Sequence, residues 1–167
     1  MLLGLSDIVN CPGGVVPFET TLDLHDMQFG GCCPVTEPVR AVGRVRNTAG
    51  VLELTGKVST TLHGVCDRCA SAFSRDVEYD FEAILTAETQ IDDFENPWVF
   101  ELTDDQADLD DIVNTAFVLN MDSKLLCRED CKGLCCRCGA NLNNGSCSCK
   151  PEVDSRFALL QQLLDRQ

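Results

Sequence analysis

Phe73-Ser74-Arg75-Asp76-Val77-Glu78-Tyr79-Asp80-Phe81-Glu82-Ala83-Ile84-Leu85 has the clearest periodicity in this chain. Phe73, Val77, Tyr79, Phe81, Ala83 and Leu85 fall on one side of an extended strand; Ser74, Asp76, Glu78, Asp80 and Glu82 fall on the other. A strand with one apolar and one acidic side belongs to a sheet with one face on a core and the other in water. The upstream sequence supplies companions for it. Apolar residues alternate at Val16, Phe18, Leu22 and Leu24, at Val39, Ala41 and Val45, and at Leu52, Leu54, Val58 and Leu62. Asn47-Thr48-Ala49-Gly50 separates the second and third of these runs, which should pair as a hairpin. The first half of the chain therefore reads as antiparallel β-structure.

Between the third and fourth strands stands Cys66-Asp67-Arg68-Cys69, a C-x2-C turn at the tip of a second hairpin. It is one of four close cysteine pairs, the others being Cys127 with Cys131, Cys135 with Cys138, and Cys147 with Cys149. Two cysteines at such spacing can set their sulfurs about 3.5 to 4 Å apart around one ion, given a Zn–S bond of about 2.3 Å. Eight thiols suit two tetrahedral, all-cysteine zinc sites, and Gly133, Gly139 and Gly145 supply tight turns in the densest part. A dithiol redox motif uses the same C-x2-C spacing, but it leads from a strand into a helix, whereas a strand pattern follows here. Cys11, Cys32 and Cys33 are left over as free thiols.

Charge is placed unevenly along the chain. Fifteen of the 27 acidic side chains lie in residues 76–123, which contain no Lys or Arg, and this segment accounts for the formal net charge of −14. All-cysteine zinc sites would make the molecule more acidic still, because four thiolates outweigh one dication. Such a body repels bulk nucleic acid and favours a basic protein as partner, with Glu78, Asp80 and Glu82 as the contact residues. A solvated face that keeps the protein soluble is the plainer reading of the same charges. The first ten residues have no basic region and too short an apolar stretch for a signal peptide, and nothing in the sequence spans a membrane. A cytosolic, reducing compartment is expected, in which clustered cysteines are metal ligands rather than disulfides.

Past the acidic loop around Asp92 and Asp93, a short strand is expected at Trp98 to Leu102. An amphipathic helix follows, with Leu109, Ile112, Val113, Ala116 and Phe117 at helical spacing and Asp104, Asp105, Asp108, Asp110 and Asp111 favouring its N-terminal end. A last helix over Asp154 to Arg166 is capped by Asp154 and striped with Phe157, Leu160, Leu163 and Leu164. The fold class expected is α+β: an antiparallel sheet with a packed amphipathic helix over residues 1–121, then a Cys-rich zinc-binding segment and a C-terminal helix over residues 122–167.

The run Cys127-Arg128-Glu129-Asp130-Cys131-Lys132-Gly133-Leu134-Cys135-Cys136-Arg137-Cys138-Gly139-Ala140-Asn141-Leu142-Asn143, then Cys147-Ser148-Cys149 and Asp154-Ser155-Arg156, closely resembles the C-terminal signature of the bacterial YceD family. Cys66-Asp67-Arg68-Cys69 with its aromatic alternating strand matches the same family from an independent stretch. The resemblance implies a role in accumulation of large-subunit ribosomal RNA, a ribosomal protein or pre-ribosomal particle as partner, and no established enzymatic activity. It departs from the family pattern at Cys136, where proline is expected, so Cys135 and Cys136 compete as ligands. Some relatives keep the first C-x2-C without the downstream cluster, which implies a structural purpose for the second site.

Chain spacing groups Cys135, Cys138, Cys147 and Cys149 as one local site and leaves Cys66 and Cys69 to combine with Cys127 and Cys131. No catalytic residue is expected. His25 and His63 belong to no nucleophile motif, His63 being an outward strand residue or a spare ligand, and there is no P-loop, G-x-G-x-x-G or His-Glu-x-x-His. Three function classes follow: a non-catalytic zinc-stabilised factor in large-subunit biogenesis, a direct RNA-binding module, and a thiol redox switch. The RNA-binding reading would use Arg40, Arg44, Arg46 and Lys57, or Lys124, Arg128, Lys132 and Arg137. Iron would satisfy the same thiolate sets as zinc.

Overall fold

A computed structural model describes residues 1–86 and 96–149 of the chain. The acidic loop at Asp92 and Asp93 and the expected helix from Asp154 to Arg166 lie outside the described residues. In chain order the elements are β1 (Leu2–Gly4), α1 (Ser6–Val9), β2 (Val15–Leu22), β3 (Val39–Thr48), β4 (Val51–Val65), β5 (Ala72–Thr86), β6 (Val99–Glu101), β7 (Gln106–Asp108) and α2 (Leu109–Asn120).

A five-stranded sheet in the order β2-β3-β4-β5-β6 dominates. Its first four strands run as an antiparallel meander, and β4 and β5 pair continuously from Leu52↔Leu85 to Val65↔Ala72. The β3–β4 turn is two residues, Ala49 and Gly50, with φ of 54° and 99°. These left-handed values match a two-residue turn to strand twist, and Gly50 adopts its value at no steric cost. Asn47 beside the turn is buried; its amide donates to the carbonyls of Ile8 and Val9 and accepts from the Gly50 N–H, tying α1 to the hairpin.

Two features depart from the sequence reading. The strand expected at Trp98 to Leu102 is β6, and it joins parallel to β5 (Ile84↔Val99 to Thr86↔Glu101) rather than antiparallel. Asp104 and Asp105 lie not in the helix but in a turn with φ of 52° and 58° ahead of β7, which pairs with β1. Asp108 caps α2 by accepting from the Asp110 N–H at 3.0 Å, with Asp110 and Asp111 in the first turn.

The inner face of the sheet carries Val39, Ala41, Val45, Leu52, Leu54, Val58, Leu62, Phe81, Ala83 and Leu85, all buried in one cluster with Leu109, Ile112, Val113, Ala116 and Phe117 of α2. The Phe117 ring meets Phe29 and Tyr79 edge-on, with centroids 6.4 and 6.2 Å away. Arg75 also falls in the inward row of β5, where it pairs with Asp122 at 2.9 Å just past the end of α2.

One inward row reads Phe18–Gly43–Gly56–Phe81 across four strands. Each phenylalanine ring lies over a paired glycine: a Cβ on Gly43 would sit 2.4 Å from the Thr55 carbonyl oxygen and 2.7 Å from Phe18, and one on Gly56 would sit 2.9 Å from Phe81. Glycine to alanine in a strand ordinarily stabilises by about 0.5–1 kcal/mol. Here the sign reverses, because the nearest atom at Gly43 is backbone that cannot swing aside. Gly43→Ala is expected to lower stability by about 2 kcal/mol in urea titration, within the usual range for overpacking; an unchanged midpoint would refute the tight row.

The outer face is polar and divided by strand. Arg40, Arg44 and Arg46 project from β3, Lys57 lies on β4 between Ser59 and Thr55, and Asp76, Glu78, Asp80 and Glu82 line β5. Among the described residues, β5 has a partner on its far side only at Ile84–Thr86, so Ala72–Ala83 pairs with β4 alone. No helix among the described residues is long and apolar enough to cross a membrane.

Candidate metal centre

The β4–β5 connection folds back sharply at Cys66-Asp67-Arg68-Cys69. Ala70 donates to the Cys66 carbonyl at 2.8 Å with φ of 54°, and the Cys66 N–H closes onto the Ser71 carbonyl at 2.9 Å. The segment after α2 is stitched to this knuckle. Asp67 exchanges two bonds with Leu125, accepting its N–H at Oδ2 (2.7 Å) and donating its own N–H to the Leu125 carbonyl (2.8 Å). Arg68 donates to the carbonyls of Glu129 and Cys131, and Leu134 N–H returns to the Arg68 carbonyl. Gly133, with φ of 75°, permits that approach, since a Cβ there would lie 3.0 Å from the Arg68 oxygen.

These bonds bring Cys127 and Cys131 to Cys66 and Cys69. Cys66 Sγ lies 3.8 Å from Cys131 Sγ, and Cys69 Sγ lies 3.7 Å from Cys127 Sγ. All four sulfurs lie within 4.8 Å of one another, with Cys66, Cys69 and Cys131 buried. A tetrahedron with metal–sulfur bonds of about 2.3 Å demands sulfurs about 3.8 Å apart, so the quartet fits zinc or another thiophilic ion.

The second quartet, Cys135, Cys138, Cys147 and Cys149, is gathered within the same limit but stands nearer to solvent. A short loop builds it: Gly139, at φ of 70°, donates to the Cys135 carbonyl, and Cys135 N–H donates to the Ala140 carbonyl. Between the two candidate ligands, the structure gathers Cys135 and leaves Cys136 exposed outside the cluster.

Electrostatics within each quartet has the same pattern. Burial pushes the Cys66 thiol up, but backbone N–H donors from Cys127, Cys69 and Arg68 outweigh it and hold the group down at about 6. Burial and the neighbouring thiols push Cys127 up to about 12. In the second quartet, the N–H groups of Cys138 and Arg137 draw Cys135 down to about 6, while Cys138 and burial push Cys149 up to about 12. One preorganised thiolate makes the next harder to form, and a bound dication relieves that crowding.

The remaining candidates lie elsewhere. His63, read as a spare ligand, is not in either quartet; its Nε2 lies 3.9 Å from Glu37. His25 is bracketed by Asp23 and Asp26. Cys11, Cys32 and Cys33 are exposed, and the Cys32 thiol donates to the Phe29 carbonyl. Glu78, Asp80 and Glu82 are exposed on one strand, with Lys57 between Glu78 and Asp80. Among the basic residues, Arg40 is held by Glu19 through two guanidinium bonds and Arg128 by Asp130 and Asn143, so part of their charge is already matched. Asp67, Arg68, Asn141 and Asn143, which join the knuckle to the cysteine-rich loops, carried no signal of their own in composition or spacing.

Comparison with known proteins points one way. Residues 54–164 match the family described as large ribosomal RNA subunit accumulation protein YceD. A chloroplastic YCED homolog 1 of Zea mays is 26% identical over 179 residues, covering 89% of this chain and 61% of that protein. The Arabidopsis thaliana homolog of the same name is 23% identical, covering 96% of this chain and 57% of that protein. An uncharacterised protein of Mycobacterium tuberculosis is 28% identical over 123 residues, 72% of this chain and 59% of its own length. The chain thus spans about 60% of the length of these relatives, and no solved structure matches it significantly. With both cysteine stretches inside the matched region, the chain belongs to the YceD family.

Proposed function

We propose that this chain is a non-catalytic, zinc-stabilised factor that supports accumulation of large-subunit ribosomal RNA by holding a basic segment of a ribosomal protein or pre-ribosomal particle on the acidic face of β5. Family membership supports the ribosomal role. The observation that carries the partner is the row Asp76, Glu78, Asp80 and Glu82, which has Lys57 as a cationic neighbour and lies on a strand that, among the described residues, pairs only with β4 from Ala72 to Ala83. An extended segment with Lys or Arg at alternate positions would meet these carboxylates in register while its backbone joins the strand edge. The two cysteine quartets take no part in chemistry on this reading. Four thiolates fill a zinc coordination shell and leave no open position for substrate.

The experiment is depletion of the protein from its host, with the ratio of large- to small-subunit ribosomal RNA as readout. The ratio is expected to fall, to recover with the wild-type chain, and to stay low with Glu78→Gln/Asp80→Asn/Glu82→Gln despite normal metal content. An unchanged ratio on depletion would refute the ribosomal role; full recovery by the triple variant would refute the acidic face alone. Direct RNA binding, the second reading, rests on the Arg40, Arg44 and Arg46 row of β3. It predicts instead that Arg44→Ala/Arg46→Ala abolishes rescue and that RNA affinity falls steeply with salt.

A further inference from the structure

Asn141-Leu142-Asn143 lies inside the loop of the second quartet, between Cys138 and Cys147, yet the Asn143 side chain bonds to a sulfur of the first quartet. Asn143 Nδ2 donates to Cys131 Sγ at 3.3 Å and to Asn141 Oδ1 at 2.9 Å. Asn143 Oδ1 accepts from the Lys132 backbone N–H at 2.8 Å and from the Arg128 guanidinium at 2.9 Å. Both amide hydrogens and both lone pairs are thereby used. The Lys132 N–H must face the oxygen, and that fixes the NH2 group on sulfur. Asn141 Nδ2 in turn reaches Ser71 Oγ at 3.1 Å, in the knuckle just past Cys69.

One segment of the exposed quartet's loop therefore supports the buried quartet, directly at the Cys131 sulfur and through Ser71 at the knuckle. Within the loop that segment is shaped by the Cys135 N–H to the Ala140 carbonyl and the Asn144 N–H to the Asn141 carbonyl, while the Leu134↔Asn141 bridge and the Leu142 N–H to the Gly133 carbonyl tie it to the residues just before Cys135. If the loop opens, Asn143 loses the position from which it donates to Cys131.

We propose that Asn143 couples the two metal centres, so that filling the exposed one tightens metal on the buried one, and the reverse. This rests on the reading of both quartets as metal centres. An N–H donor to a coordinating thiolate stabilises its charged form and fixes its direction, and loss of such outer partners typically weakens metal binding about 10- to 100-fold. Ordering the Asn141–Asn143 segment carries an entropic penalty. Once metal in the exposed centre has met it, the buried centre gains the donor without that penalty. Linkage makes the effect reciprocal.

Cobalt(II) titration of the full chain tests this, with thiolate-to-cobalt absorption as readout and a competing chelator to set affinity. Cys147→Ser/Cys149→Ser, which dismantles the exposed centre, and Asn143→Ala, which cuts the link, are each expected to weaken the buried centre about tenfold. Combining them should add nothing further, since both remove the same contact. Asn143→Asp, which sets a carboxylate against Cys131, should weaken it by at least as much. In the reverse direction, Cys66→Ser/Cys69→Ser should weaken the exposed centre by the same factor as Asn143→Ala. An unchanged buried centre after loss of the exposed one would overturn the coupling, as would a full extra tenfold fall for Asn143→Ala in that background. Absence of thiolate–cobalt absorption in the wild-type chain would overturn the centres themselves.

Discussion

Replacing Cys66 with serine is expected to remove about one metal ion per chain and to lower stability by about 4 kcal/mol. The reason is loop closure. Cys66 and Cys131 are 65 residues apart and Cys69 and Cys127 are 58 apart, so an ion shared by these four sulfurs closes a loop containing the whole of β5, β6, β7 and α2. The chain-entropy estimate for clipping a loop of that length is about 4 kcal/mol. The knuckle contacts of Asp67 and Arg68 would persist only as isolated hydrogen bonds, each worth about 1 kcal/mol. Protease cleavage in residues 122–134 should therefore rise in Cys66→Ser. Cys136→Ser is the control: that thiol is exposed and outside both quartets, and the variant should keep both ions. Retention of two ions by Cys66→Ser would refute the grouping of Cys66 and Cys69 with Cys127 and Cys131.

Phe117→Ala should cost about 3–5 kcal/mol without changing metal content, the range for truncating a buried aromatic ring. Phe117 is fully buried, and its ring is the contact between α2, Tyr79 of β5 and Phe29 in the connection between β2 and β3. Truncation leaves a void under that connection, so backbone amides near Phe29 should exchange faster than those of the β4–β5 ladder. Phe117→Leu refills much of the volume and should cost about 1–2 kcal/mol, as near-isosteric swaps do. The effects of Phe117→Ala and Cys66→Ser should add, since the ring and the quartet belong to separate buried clusters. Chemical denaturation of the two single variants and the double variant checks this; a strong departure from additivity would mean that the sheet and the cysteine segment share one packing unit.

What the sequence made legible follows from which constraints are local. The alternation from Phe73 to Leu85 fixes which face of β5 is wet, because a one-residue slip would bury four carboxylates. The quartets were readable because thiol spacing limits which sulfurs can meet: Cys135, Cys138, Cys147 and Cys149 have only a short loop in which to close. Cys135 and Cys136 could not be separated by spacing, since either lies within reach; the Cys135–Ala140 and Gly139–Cys135 bonds decide it. Other features were set by distant partners. Leu2–Gly4 and Gln106–Asp108 are three residues each, too short for a period to show, and exist as strands only because they pair. Arg75 breaks the apolar row of β5 yet faces inward, because Asp122 lies across from it. Nothing in the Asn141-Leu142-Asn143 run indicates that an amide of one loop serves a sulfur of another cluster.

The long separation within the first quartet also sets an order of events during synthesis. The hairpin that carries Cys66 and Cys69 is complete once β5 has emerged, whereas Cys127 and Cys131 follow 58 and 65 residues behind their sulfur neighbours. Counted from the end of β5 at Thr86 and at about 5–20 residues per second, the wait for Cys127 and Cys131 lasts roughly 2–9 s. Through that interval a folded knuckle presents two sulfurs without their partners, and Cys66 also lacks the Cys127 backbone donor that helps hold its thiol down in the finished molecule. The nascent chain is thus most open to oxidation or to the wrong metal in these seconds. Among the described residues, the site that ties the finished molecule together is the last buried cluster to close.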